Sequence, residues 1–423
     1  MNNDKKFKKN FIWNIIGTTF NSFNSLFFMI IVTRVNGTTD AGIFTLAFTT
    51  ACILYMIGVY AGRIFQVTEN EKINDKEYII NRTGTVILMI IISGIFVVIK
   101  GYEPYKMVVF ILICLYKAIE AFSDVLYGIL QKNDLLYQVG KSFFLKALIA
   151  LVAFLVVDLI TKNLIISSLM IVIANILVIL VYDIPNILKI VDIKQKIKIS
   201  SVLRIYKTGF FIFAISFLGL YIMNAPKYAI DDFLTENIQA IYGIIIMPAT
   251  VVGLLGQFII HPYLNTIVKL YKENQLEEIK KIVLKIVLAI FVLGMICVLG
   301  AYILGIPVLE LIYGINLKDY KINLVVIILA STLSVIGTIY SSILTTIRRT
   351  FIQFVIYCVL TVIAVISSYI LTYYFKINGA TGAYFIIMSL QYLLYYIFTK
   401  RILNKMIKEK KDETKSIYNC TSI

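Results

Sequence analysis

Residues 164–182 read LIISSLMIVIANILVILVY, and this stretch contains no charged side chain. A helix needs about 20 mostly apolar residues to cross the hydrocarbon core of a bilayer. Similar apolar runs occur at 11–33, 42–62, 83–100, 107–130, 143–160, 208–225, 240–262, 283–304, 322–346, 353–375 and 379–399. Because a strand in lipid would leave its backbone groups unpaired, all twelve runs are predicted to be helices.

The composition of the whole chain agrees with a membrane protein. The chain has 423 residues, of which 60% are hydrophobic, whereas soluble domains contain about 45–50% apolar residues. The net charge is +16, but the basic residues lie between the apolar runs and form no basic domain, so nucleic-acid binding is not expected. The chain has no GxxxxGK[ST] motif and no closely spaced cysteine pair, and we predict neither a cofactor nor a metal.

The distribution of basic residues predicts the orientation of the chain. With the N-terminus in the cytoplasm, 31 of the 40 Lys and Arg residues lie on the cytoplasmic side and eight lie outside, with Lys117 inside a helix. The cytoplasmic residues include Arg82, in the loop segment 63–82, and Lys146, in the loop segment 132–146. This positive-inside asymmetry predicts that both termini are cytoplasmic. The external loops are short, the longest running from Ala225 to Ala240. They leave no room for a catalytic domain, and the chain is predicted not to be an enzyme.

The layout of the second half resembles that of the first, which predicts a parallel repeat about an axis along the membrane normal. The predicted fold is therefore an all-α membrane protein of about twelve helices in two six-helix lobes around a central cleft. The predicted divisions are an N-terminal lobe at 1–188, a basic linker at 189–206, a C-terminal lobe at 207–400 and a basic tail at 401–423.

The fourth run carries three ionisable residues on one helical face: Lys117, Glu120 and Asp124. At a rise of about 1.5 Å per residue, Lys117 lies about 16 Å beyond Lys106, near the middle of the membrane. Exposure of such charges to lipid would cost roughly 2.5–3.5 kcal/mol each, so the face must turn inward. It forms either the wall of a substrate or ion-coupling cavity, or a structural pair of Lys117 with Glu120 or Asp124.

Two other helices carry polar stripes at the helical period. The first contains Asn14 and Asn21, with Thr18 and Ser25, and the tenth contains Ser334 and Thr338 among further Ser and Thr residues. These stripes either line a hydrated path for a hydroxyl-rich ligand or bind helices to one another.

Four basic residues near helix ends are candidates for a phosphate-bearing headgroup: Arg34, Arg63, Lys207 and Lys227. Arginine suits phosphate because its planar guanidinium can form two parallel hydrogen bonds. The alternative for each residue is that its side chain extends to the membrane interface.

Short motifs spread over nearly the whole chain resemble a known family. They are Lys9–Asn14, Thr33–Gly37 before Ala41–Phe44, Ala229–Asp232 before Ala240–Gly243, Leu311–Gly314 and Ile377–Ala383. Together they resemble the polysaccharide biosynthesis and export proteins, the Wzx-type flippases of the multidrug/oligosaccharidyl-lipid/polysaccharide (MOP) superfamily.

The resemblance implies a MATE-like fold and a flippase in the bacterial cytoplasmic membrane. Its implied cargo is an undecaprenyl-diphosphate-linked oligosaccharide, moved by alternating access for surface polysaccharide export. Its implied partners are this lipid-linked oligosaccharide, membrane lipids, and the polymerase and glycosyltransferases of the same assembly. The family's cavity is described as cationic, whereas Glu120 and Asp124 accompany Lys117 here. The alternatives are a cation-coupled drug exporter or lipid II flippase of the same fold and, from another class, a membrane enzyme of polysaccharide assembly.

Overall fold

The computed structural model describes residues 3–68, 73–191 and 196–421, and this part of the chain contains no β-strand. Its helices are α1 Asn3–Val35, α2 Thr38–Val59, α3 Gly62–Thr68, α4 Asp75–Lys100, α5 Pro104–Lys132, α6 Leu136–Thr161, α7 Leu164–Val178, α8 Ile184–Ile187, α9 Ile199–Phe233, α10 Glu236–Lys272, α11 Leu276–Gly300, α12 Ile306–Tyr313, α13 Lys321–Thr346 and α14 Thr350–Thr421. Single π-turns at Ile179–Asp183 and Ala301–Gly305 join α7 to α8 and α11 to α12.

The helix ends follow ordinary capping chemistry. The side chain of Asn163 accepts hydrogen bonds from the first backbone N–H groups of α7, which would otherwise lack a partner. Pro104 occupies the first turn of α5, where its missing N–H is harmless. Gly101 ends α4 with a φ of 62°, a left-handed conformation that glycine adopts without steric cost.

The all-helical, membrane-spanning character predicted from the sequence is confirmed. Within the described residues, ten helical spans are long and apolar enough to cross a bilayer. The predicted number of twelve differs from this result at two places. The helix α5 is not among the ten spans because Lys117, Glu120 and Asp124 interrupt its apolar sequence. The two predicted runs 353–375 and 379–399 form the single helix α14, although Lys376 breaks its helical geometry with φ 53° and ψ −134°. The number of twelve and the orientation of the termini stay predictions.

Several helices continue beyond their predicted ends. Most of the predicted external loop from Ala225 to Ala240 is helical, because α9 continues through Pro226 to Phe233 and α10 begins at Glu236. The eighth apolar run ends at residue 262, whereas α10 continues through Pro262 to Lys272. Hydropathy marks where a helix leaves the apolar part of the membrane, and a helix can continue into water beyond that point.

The described chain divides into two compact units. Unit 1 comprises Met1–Leu220 together with Thr235–Ile241, and unit 2 comprises Tyr221–Leu234 together with Tyr242–Ile423. These divisions fall at different residues from the predicted lobes, because α9 and α10 each contribute residues to both units. The predicted lobes, linker and tail stay a prediction.

Close helix approaches in unit 1 depend on glycines. A Cβ atom built on Gly17 of α1 would lie 2.0 Å from the carbonyl oxygen of Gly140 on α6. A Cβ built on Gly58 of α2 would lie 2.8 Å from the Cβ of Ala121 on α5. Small residues at such crossings let helix backbones pack closely where lipid supplies no hydrophobic driving force.

Unit 2 is joined internally by packing and by polar contacts between helices. The amide of Asn323 on α13 donates to the Asn378 side chain at 2.8 Å and to the Thr381 hydroxyl at 3.0 Å, both on α14. A Cβ built on Gly294 of α11 would lie 2.1 Å from the side chain of Thr332 on α13. These contacts hold α11, α13 and α14 together within unit 2.

Candidate functional site

The charged face of α5 lies inside unit 1 and begins with an ion pair. Lys117 Nζ lies 2.6 Å from Glu120 Oε2, one helical turn away. The hydroxyl of Tyr116 donates to the other carboxylate oxygen of Glu120 at 2.9 Å. The Lys117 ammonium also lies 4.8 Å from the centre of the Phe48 ring on α2, a distance at which the ring face attracts a cation. Of the two pairings open from the sequence, Lys117 therefore makes the one with Glu120.

Asp124 pairs with a different cation. Its Oδ2 lies 3.1 Å from the guanidinium of Arg82 on α4, and Arg82 also donates to the carbonyl oxygen of Ala121 at 3.3 Å. Arg82 was assigned to a cytoplasmic loop from the sequence, but it lies within α4 and its side chain is buried. The sequence places Arg82 outside a helix because the apolar run begins only at residue 83, one residue beyond it.

None of the three predicted α5 side chains faces open solvent, and none is completely enclosed. The side-chain exposure of Lys117 is 14%, and that of Glu120 and Asp124 is 15% each. Because each charge has a partner of opposite sign, the desolvation cost of burial is offset by ion pairing. The face is directed into the protein, as the cost of exposing charges to lipid predicts.

A more deeply buried ion pair in unit 1 was missed from the sequence. The ammonium of Lys146 on α6 donates to Asp183 Oδ2 at 2.6 Å, to Ser123 Oγ at 2.6 Å and to the Tyr127 hydroxyl at 2.8 Å. The side chains of Lys146 and Asp183 are 4% and 0% exposed. The three N–H donors of the ammonium thus each have an oxygen acceptor, which is the complete set for lysine.

A signal for this pair was present in the sequence. Lys146 was counted with the cytoplasmic loop, yet it stands inside the apolar run 143–160. Asp183 follows the apolar run 164–182 directly. Opposite charges at the edges of consecutive membrane helices are candidates for pairing, because an unpaired charge at either place would be costly.

The six buried or half-buried charges of this cluster sum to zero. Arg82, Lys117 and Lys146 are cations, and Glu120, Asp124 and Asp183 are anions. An anionic ligand at this face would have to compete with a carboxylate for each cation. Among the described residues, no three His, Cys, Asp or Glu side chains come together as metal ligands.

The chain is similar in sequence or in structure to several known proteins. No family model matches the chain. The capsular polysaccharide biosynthesis protein CapF of Staphylococcus aureus is 25% identical over 402 residues, covering 93% of this chain and 99% of CapF. An inward-facing MATE multidrug transporter of the MOP superfamily matches with a TM-score of 0.66 and 12% identity, covering 93% of this chain and 99% of the transporter.

The lipid II flippase MurJ, in an inward closed conformation, matches with a TM-score of 0.68 and 14% identity. The match covers 97% of this chain and 93% of MurJ. This chain has the fold of the MATE transporter and of MurJ, which we call the MOP fold. The predicted resemblance to the polysaccharide biosynthesis proteins and the MOP superfamily is confirmed, and the chain is a multi-pass bacterial membrane protein.

Within this MOP fold, the predicted stripe of α1 is only partly enclosed. Asn14 and Asn21 are half-buried. The polar residues Asn24 and Thr33 of α1 are buried, and the predicted stripe does not include Asn24. The amide of Asn24 donates to the carbonyl oxygen of Ala147 on α6 at 3.3 Å. For Asn24, the polar side chain therefore joins two helices.

The polar stripe of the tenth run lies in unit 2, on α13. Ser334 is buried, whereas Thr338 is exposed and its hydroxyl donates to the carbonyl oxygen of Val335 at 2.7 Å. The two predicted stripes thus belong to different units. Their role as a path for a ligand stays a prediction.

The four basic candidates have different surroundings in this MOP fold. Arg34 and Lys207 are exposed. Arg63 lies on α3 with its guanidinium 6.0 Å from the centre of the Phe143 ring. Lys227 is buried and belongs to unit 2, unlike the other three. Their assignment to a headgroup also stays a prediction.

Proposed function

We propose that this protein is a flippase that moves an undecaprenyl-diphosphate-linked oligosaccharide across the bacterial cytoplasmic membrane for surface polysaccharide export. The relation to CapF over 93% of this chain is the observation that carries the proposal. The MOP fold supports it, since the matched proteins MurJ and the MATE transporter are a flippase and a transporter. The protein acts as a carrier and not as an enzyme, and the polymerase and glycosyltransferases of polysaccharide assembly are its proposed partners.

The charged face of α5 is the proposed contact for the diphosphate. Phosphate oxygens form charge-assisted hydrogen bonds with guanidinium and ammonium groups. Arg82 and Lys117 are held by Asp124 and Glu120 at 3.1 and 2.6 Å, so a diphosphate would exchange with these carboxylates. Arg34, Arg63, Lys207 and Lys227 are the proposed further headgroup contacts along the path.

Substitution of Lys117 provides the test. We expect Lys117→Met to abolish surface glycan in a deletion strain complemented with the variant, while the variant still inserts in the membrane. The matched control is Lys281→Met, because Lys281 forms a pair of the same spacing with Glu278 at 2.7 Å but is exposed. The control should restore surface glycan fully. Normal export by Lys117→Met would remove the α5 face from the mechanism.

The deletion strain also separates the possible cargoes. Loss of surface glycan, with lipid-linked oligosaccharide retained on the cytoplasmic leaflet, supports the proposal. Loss of viability with accumulated lipid II would instead indicate a lipid II flippase, a function that the MurJ-like fold makes a direct alternative. Increased sensitivity to cationic drugs with normal glycan would indicate a drug exporter.

A further inference from the structure

A second polar cluster in unit 1 joins the starts of α2, α5 and α10. Lys106 Nζ lies 2.6 Å from Glu236 Oε1. The hydroxyls of Thr38 and Thr39 donate to Asn237 Oδ1 at 2.8 and 3.1 Å. We call these five residues the α10 clasp. The Lys106 and Glu236 side chains are 11% and 29% exposed, so water can reach this ion pair.

The backbone of α10 also approaches α2 unusually closely at the clasp. A Cβ atom built on Gly42 would lie 2.0 Å from the carbonyl oxygen of Glu236. No other residue type fits there without a shift of one helix. The first turn of α10 therefore packs closely against α2 and forms polar contacts with α2 and α5.

The clasp holds only the start of a helix that continues into the other unit. Residues Thr235–Ile241 belong to unit 1, whereas α10 from Tyr242 onward belongs to unit 2. Pro248 follows within the same helix. Proline removes one backbone hydrogen bond and clashes with the preceding turn, which makes this position a place where α10 can bend.

One residue of the segment 235–241 disfavours its position against unit 1, which we call the docked position. The side chain of Gln239 is fully buried, and neither its Nε2 nor its Oε1 has a hydrogen-bond partner among the residues that the structure describes. A buried amide that lacks partners is unfavourable compared with the same amide in water. The docked position thus combines water-accessible polar contacts that favour it with a buried group that disfavours it.

We infer that the α10 clasp is a releasable latch, and that residues 235–241 leave unit 1 during each transport cycle. The ion pair of Lys106 with Glu236 stabilises the docked state, and Gln239 stabilises the released state. Opposing contributions of this kind keep two states close in free energy, which lets a ligand shift their populations. The inference rests on the proposed function only in requiring a transport cycle, not in the identity of the cargo.

Cross-linking in native membranes measures the docked state directly. Cysteines replace Thr38 and Asn237 in a chain whose five native cysteines are replaced by serine, and a short thiol-specific reagent joins them. We expect Lys106→Met or Glu236→Gln to lower the cross-linking rate at least threefold, because the ion pair is lost. Gln239→Leu should raise the rate, because it removes the unpartnered amide and keeps similar volume.

A cysteine pair at Asn10 and Tyr137 is the control for general loosening of unit 1. Asn10 on α1 accepts a hydrogen bond from the backbone of Tyr137 on α6 at 2.9 Å, away from the clasp residues in sequence. Cross-linking of this pair should not change with Lys106→Met or Gln239→Leu. Parallel changes at both pairs would mean that the substitutions disturb the whole unit, and this result would overturn the inference.

Measurement of glycan export then tests whether transport requires the release of residues 235–241. Cross-linking of the clasp pair should stop glycan export, and reduction should restore it, whereas cross-linking of the control pair should leave export normal. Normal export with the clasp locked would refute the latch. If the uncross-linked protein exports no glycan at all, the proposed cargo fails, but the opposite effects of Lys106→Met and Gln239→Leu on cross-linking still test the clasp.

Discussion

Replacement of Lys146 by methionine should destabilise unit 1 more than any surface charge change. The substitution keeps most of the length of the side chain but leaves Asp183, whose side chain is 0% exposed, without its cation at 2.6 Å. Removing one partner of a buried ion pair costs about 3–5 kcal/mol because the remaining charge stays buried. Since about 1.4 kcal/mol corresponds to a factor of ten, the unfolded population should rise by roughly two to three and a half orders of magnitude.

The assay is unfolding of the purified protein in mixed micelles by increasing SDS. Trp13 is the only tryptophan of the chain, and its ring lies 6.4 Å from that of Phe144, two residues before Lys146. Its fluorescence therefore reports on the packing of α1 against α6. The control is Lys281→Met, which breaks a pair whose side chains are 68% and 50% exposed. It should leave the SDS midpoint almost unchanged, because exposed ion pairs contribute little to stability.

A double substitution distinguishes an unpaired charge from lost packing. Lys146→Met combined with Asp183→Leu removes both charges, and exchange of a buried pair for apolar residues is often neutral or stabilising. The double variant should therefore be more stable than Lys146→Met alone. The reasoning would be refuted if Lys146→Met unfolded at the same SDS concentration as the wild type. It would also be refuted if the double variant were no more stable than Lys146→Met.

Two further stability predictions concern backbone packing and capping in unit 1. Gly17→Ala should lower the SDS midpoint clearly, because its Cβ would lie 2.0 Å from the Gly140 carbonyl oxygen. Gly94→Ala, with nothing within 4 Å, should leave the midpoint unchanged or raise it slightly, because alanine is favoured over glycine inside a helix. Equal midpoints for the two variants would contradict the close crossing. Asn163→Ala should cost about 1 kcal/mol, because it removes the acceptor for two N–H groups of α7, and Asn163→Asp should retain most of the stability.

The fold was largely predictable because the membrane imposes a simple rule on sequence. A spanning segment must satisfy its own backbone groups, so long apolar runs indicate helices. The ends of these helices were not predictable from the same signal. Hydropathy does not detect a helical segment that lies in water. The extensions of α9 to Phe233 and of α10 to Lys272 were therefore predicted to be loops.

The candidate site was predicted only in part, for a related reason. Lys117, Glu120 and Asp124 lie on one helix, and helical spacing alone places them on one face. Their relation to Arg82, and the pairing of Lys146 with Asp183, join different helices. Such pairing depends on how helices pack, which a single sequence does not reveal. Because every basic residue near an apolar run was assigned to a loop, Arg82 and Lys146 were not recognised as members of buried ion pairs.

The mixed charge of the α5 face bears on how a carrier can release the proposed cargo. A cavity with unpaired cations would bind a diphosphate strongly in every conformation, and a site that conducts must bind weakly enough to let its ligand leave. Here the carboxylates of Glu120 and Asp124 already hold Lys117 and Arg82. A diphosphate that binds either cation must displace a carboxylate, and that ion pair forms again when the diphosphate leaves. In the proposed mechanism, the carboxylates thus lower the affinity for the diphosphate and pair with the cations again when the headgroup departs.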